Sequence, residues 1–145
     1  MPLPRLPFLL SLTLAAGLAL GSCKKDTSSP TPAPTALTAT QQLTTGSWRL
    51  DQFKQGGQVS TGSTIKDRYS LTFRADGTYT QKILADNTTY AGTWMLMNNN
   101  ALLHLTDQKG ISTQHAVNAL SATELRYTFT NSANQVEERQ FSPQP

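Results

Sequence analysis

The chain has 145 residues, which suits one domain with appendages, and only 37% of them are hydrophobic. Its formal net charge of +3 loses its meaning once placed, because from Gln41 onward nine Lys/Arg stand against eight Asp/Glu with no basic run. A nucleic-acid footprint needs clustered positive charge, so that partner is excluded, and a single cysteine excludes a disulfide framework or a redox thiol pair.

Residues 1–22 read as a secretory signal peptide. Arg5 and the amino terminus give a positive start, Phe8 to Leu20 is an apolar run, and Gly21-Ser22 are the small residues of a cleavage site. A spanning helix needs about 20 apolar residues, and Pro7 and Lys24 bracket fewer. Cys23 follows directly, and Leu20-Gly21-Ser22-Cys23 resembles the lipobox of bacterial lipoproteins. That resemblance implies cleavage before Cys23, diacylglycerol on its sulfur, and acyl chains such as palmitate holding the mature protein to a membrane. Each buried methylene contributes about 0.8 kcal/mol, so two or more chains anchor stably. The expected location is the bacterial cell envelope, at the outer membrane, on its periplasmic or surface face.

Residues 23–40 form the anchor and a tether. Pro30, Pro32 and Pro34 alternate with Ser, Thr and Ala, which favours an extended spacer with a reach of about 40 Å.

Residues 41–145 have a different texture, short alternating runs between turn residues. Thr38 to Leu43 supplies at most one turn of helix. Gly46 to Phe53 is a first strand, with a weak segment around Val59 to Ile65 after it. Tyr69, Leu71 and Phe73 alternate with polar residues, the period-two signature of a half-buried strand. Ala75-Asp76-Gly77 is a tight turn, with glycine where φ turns positive. Gly77 to Leu84 returns, and Tyr90, Gly92, Trp94 and Leu96 share one face of the next strand. Asn98-Asn99-Asn100 tolerates left-handed backbone. Strands then follow from Ala101, Ile111, Leu125 and Val136. Eight or nine short antiparallel strands in meander order predict an all-β, eight-stranded up-and-down barrel, whose closure removes exposed edges.

The series Gly46-Ser47-Trp48, then Leu71-Thr72-Phe73-Arg74-Ala75-Asp76-Gly77-Thr78-Tyr79, then Gly92-Thr93-Trp94 and Leu120-Ser121-Ala122-Thr123-Glu124-Leu125, resembles lipocalins and the shorter lipocalin-like domains on lipoproteins of Bacteroidota. The resemblance covers about residues 43 to 141. It implies an antiparallel barrel with Trp48 plugging one end and a basic side chain from the last strands lying over it, with Arg126 and Arg139 as the candidates. It also implies a small hydrophobic ligand in the barrel, although an eight-stranded interior is alternatively filled by side chains.

No catalytic constellation is present. Glu137 and Glu138 are consecutive on a strand and point to opposite faces, and no nucleophile elbow or phosphate loop occurs. His104 and His115 lack a third metal ligand at useful spacing, so no metal or other cofactor is expected beyond the lipid on Cys23. The reading is a non-catalytic, membrane-anchored binding module whose cup is lined by Tyr79, Tyr90, Trp94 and Tyr127. The alternative is a filled barrel that serves as a structural or protein-interaction domain of the envelope. Met95 and Met97 make one strand apolar on both faces, and Leu37 to Leu43 is the segment expected to cover them.

Overall fold

The computed structural model describes residues 35–144; the expected signal peptide, the expected lipidation site Cys23 and the expected tether as far as Pro34 lie outside the described residues. The chain enters the barrel through a short helix, α1 (Ala39–Leu43). Thr38 caps it, accepting from the Gln41 amide at 3.2 Å while the Gln41 side chain accepts from the Thr38 amide at 2.9 Å. Nine strands follow: β1 (Ser47–Gln55), β2 (Gln58–Thr61), β3 (Tyr69–Phe73), β4 (Thr78–Ile83), β5 (Thr89–Met97), β6 (Leu102–Asp107), β7 (Ser112–Leu120), β8 (Leu125–Thr130) and β9 (Val136–Gln144).

β3 pairs antiparallel with β1, each strand from β4 onward pairs antiparallel with its predecessor, and β9 returns to β1, which closes eight strands into a barrel. β2 is the supernumerary strand. β1 pairs β3 only over Ser47–Arg49 and then pairs β2 from Gln52 to Gln55, so the wall splits between β2 and β3. A bulge between Leu50 and Gln52 accompanies the change. Asp51 sits on this bulge, accepting from Arg49 Nε at 2.9 Å, from Arg68 Nη2 at 2.5 Å and from the Ser142 hydroxyl. Burial opposes its charge, but the Ser142 and Arg49 hydrogen bonds and the two guanidinium groups outweigh that and hold its carboxyl below the ordinary range.

The turns match the residues that make them. Gly77 has φ +83°, while Asp76 Oδ1 accepts from the Thr78 amide at 2.9 Å. Asn98, Asn99 and Asn100 are all left-handed, at φ 51°, 54° and 69°. Gly92 answers a close approach: a Cβ there would run into the Thr106 carbonyl and lie 2.6 Å from Cε1 of Tyr79, whose ring covers the glycine. β9 runs past Phe141 through Pro143. Beyond Phe141 β9 pairs with β1 alone, the kind of one-sided position where a strand tolerates proline.

The interior has two unlike halves. Strand starts and ends place Trp48, Phe73, Trp94, Leu103 and Leu125 at the end where α1 docks, all of them buried. Trp48 donates its indole N–H to the Leu43 carbonyl at 2.8 Å, and Leu43 itself is wholly buried, so α1 is the lid of this end. Trp94 donates to the Arg74 carbonyl at 3.0 Å and meets Phe73 edge-on at 5.4 Å. This end is filled. α1 does not reach the outer face of β5 as expected, for Leu43 turns inward and Met95 remains 54% exposed.

Candidate functional site

The opposite end is open and is organised around Arg139. Parity explains why this arginine points inward: on β9 it is in phase with Glu137 and Phe141, both buried. Its guanidinium carbon lies 4.7 Å from the Phe129 ring centre and 5.7 Å from those of Phe53 and Tyr69. Nη1 donates to the Tyr69 hydroxyl at 2.7 Å, and Nη2 to Glu137 Oε2 at 2.8 Å. The second Glu137 oxygen accepts from the side chains of Asn131 at 2.8 Å and Gln55 at 3.4 Å. Burial works against the arginine's charge, but the phenol oxygens of Tyr69 and Tyr127 and the Glu137 carboxylate outweigh it, and the group holds its proton more tightly than usual.

His115 lies on the same wall. Its ring is 4.7 Å from Tyr127 and 4.8 Å from Phe129, and only 5% of the residue is exposed. Nε2 shares a 2.9 Å hydrogen bond with the Thr113 hydroxyl. Burial, helped by the positive charge of Arg139 and by His104 and opposed by Glu137, lowers its pKa to about 4, so the imidazole is neutral at physiological pH. Burial likewise pushes the Tyr127 hydroxyl well above its ordinary value, and burial with the Asp107 carboxylate raises that of Tyr79.

Two chambers open around these groups. An inner one of about 220 Å³ is walled by Tyr69, Tyr79, His115, Tyr127, Phe129 and Arg139 among others. An outer one of about 460 Å³ occupies the split between β2 and β3, against Phe53, Ile65, Lys66 and Ile83. Tyr69, Gln81 and Arg139 line both. Two polar atoms at this end are buried without any partner, Nδ1 of His115 and Nε of Arg139.

Of the four residues expected to line the cup, Tyr79 and Tyr127 border the inner chamber. Trp94 belongs to the filled end, and Tyr90, 43% exposed near the start of β5, lines neither chamber. Neither arginine covers Trp48, contrary to the closure expected of them. Trp48 pairs with Pro143, four residues or about 13 Å along β9 from Arg139. Arg126 alternates with the inward Leu125 and Tyr127, so it faces outward, where it meets Glu124 at 3.4 Å. The residues that sequence reasoning missed are Tyr69, Gln81, His115 and Phe129. Strand parity was the available signal for each. Among the described residues no three His, Cys, Asp or Glu side chains come together as metal ligands do.

Residues 44–137 match the lipocalin-like domain family. The chain belongs to that family. Among solved structures, the lipocalin-like barrel is similar to a lipocalin-like protein from Bacteroides uniformis, at 18% identity and a TM-score of 0.56, over 71% of this chain and 99% of that one. A second protein from Bacteroides uniformis matches at 19% identity and a TM-score of 0.49, over 74% and 94% of the two chains. No curated protein matches it. At these identities the likeness extends to the fold, and the chemistry of the mouth is read from this chain's own residues.

Proposed function

We propose that the protein is a non-catalytic, lipid-anchored binding module of the bacterial envelope whose lipocalin-like barrel takes a small, mostly apolar ligand through its open end. The observation that carries this reading is the pair of chambers around Arg139, walled by aromatic rings at one end of a barrel whose other end is packed solid. Cys23 is the anchor, with diacylglycerol on its sulfur, and the outer membrane is the proposed site of attachment. A second reading is a scaffold that recognises an envelope protein through its outer wall, and exposed Met95 on β5 favours it.

Native mass spectrometry of the protein extracted from membranes tests both parts of the proposal. The expected result is a chain beginning at Cys23, carrying acyl lipid, with a discrete non-covalent mass that is lost on denaturation. A chain that retains residues 1–22 or lacks acyl mass overturns the anchor. An apo barrel that takes up nothing from a panel of small apolar compounds overturns the ligand and leaves the Met95 face as the reading to pursue.

A further inference from the structure

Resting on the ligand-cup reading, we infer that the inner chamber selects an arylalkyl amine, with its ring among the tyrosines and its ammonium on Asp107.

Strand register brings Asp107 to this place. On β6 it is in phase with Leu103 and Leu105, both buried, so its side chain turns into the barrel at the mouth. Its partner on β5 is Gly92, which has no side chain to cover it, and the ring over that glycine is Tyr79. Oδ1 is occupied, accepting from the amides of Lys109 at 2.8 Å and Ile111 at 2.9 Å in the turn that leads to β7. Among the described residues Oδ2 accepts no hydrogen bond, and no cation forms an ion pair with the carboxylate. The Lys109 side chain, on the same turn, is exposed. Asp107 itself is half-buried and lines the inner chamber with Ile111, which is 60% exposed, so it stands at the rim.

Arg139 lines the same chamber but leaves this anion unanswered. It projects from β9, three strands further around the wall, where Nη1 is committed to Tyr69 and Nη2 to Glu137, whose carboxylate balances its charge. The two poles are felt by different phenols. Burial and then the Asp107 carboxylate raise the Tyr79 hydroxyl, whereas at Tyr127, raised chiefly by burial, the nearby ion is Arg139. His115 is neutral at pH 7, and Lys66 belongs to the outer chamber. The chamber therefore carries one uncompensated negative charge, at its rim.

The remaining wall suits the body of an amine. The rings of Tyr79, Tyr127 and Phe129 offer faces to a flat ring, and Arg139, 4.7 Å from the Phe129 centre, shows that they also accept a cation. Gln81 makes no side-chain hydrogen bond within the described residues, and its carbonyl is a second acceptor for the three donors of an ammonium. An apolar cavity of about 150 Å³ holds benzene, so about 220 Å³ accepts one ring with a short chain. Because Asp107 is at the rim, the ammonium keeps part of its water while the ring is buried.

Tyramine, 4-propylphenol and p-cresol separate the ammonium from the ring, since the first two share one shape and differ in charge. Each is titrated at pH 7 into residues 23–145 carrying Cys23→Ser, with affinities read from amide shifts. Tyramine should bind tighter than 4-propylphenol by about tenfold, the value of one hydrogen bond to a charged group. Asp107→Asn keeps an oxygen for the Lys109 and Ile111 amides, so the turn is retained. It should bring tyramine to the affinity of 4-propylphenol and leave both phenols unchanged. If tyramine binds no tighter than 4-propylphenol to the native protein, the inference fails while the cup stands. An Asp107→Asn protein that keeps the tyramine preference also overturns it. If none of the three binds at millimolar concentration, the cup and the inference fall together.

Discussion

The two ends of the barrel are made from the same strands and solve opposite problems. At the α1 end, the largest side chains are buried and their polar atoms are served, Trp48 by the Leu43 carbonyl and Trp94 by that of Arg74. At the mouth, aromatic rings are as numerous, but they surround a paired ion, a neutral histidine and open space. The indoles at one end have their hydrogen bonds completed within the chain, whereas at the other His115 Nδ1 and Arg139 Nε are buried without a partner, as are His104 Nδ1 and Arg126 Nε elsewhere among the described residues. The difference separates stability from recognition along one axis.

The largest effect expected from breaking this division lies at the filled end. Trp48→Ala removes a side chain that is 2% exposed, together with the hydrogen bond that docks α1, and should cost about 4 kcal/mol in urea unfolding. Phe53→Ala, at the half-buried mouth, should cost less than half of that. Equal losses would erase the contrast between the ends.

A second, smaller effect depends on pH. His115 has a folded pKa of about 4 against an ordinary value near 6.5, so between these limits the unfolded chain binds the extra proton. Its neutral, buried state is therefore favourable above pH 6.5, and stability falls as pH drops from about 6.5 toward 4, by up to about 3 kcal/mol. Asp51, Asp76 and Asp86, with pKa values lowered from 3.8, lose their contributions in a more acidic window. Unfolding free energies measured across pH 4–7 should thus slope in the native protein and flatten in His115→Gln. A slope unchanged by the substitution would mean that the histidine is solvated in the folded state.

Much of the fold was legible because it rests on local rules. Period-two alternation marked β3 and β8, and the Asn98–Asn100 and Asp76-Gly77 turns announced their left-handed backbone. The order of the Gly-x-Trp and Asp-Gly-Thr-Tyr segments carried the family. The mouth was not legible, because it assembles Tyr69 from β3, His115 from β7 and Arg139 from β9, and their convergence depends on closure and on the bulge after Leu50. Parity along β8 and β9 separates the outward Arg126 from the inward Arg139, but it does not say which end of the barrel an inward residue reaches. Trp94 misled for that reason: it shares a face with Gly92 yet stands at the filled end.

The most direct test of the division uses the two tryptophans as reporters. In a nitrogen–proton correlation spectrum titrated with p-cresol, amide signals of Tyr69, His115, Phe129 and Arg139 should move together, while the indole N–H signals of Trp48 and Trp94 stay fixed. Movement of the indole signals with a silent mouth would contradict the account, because it would place the binding site at the end described here as filled.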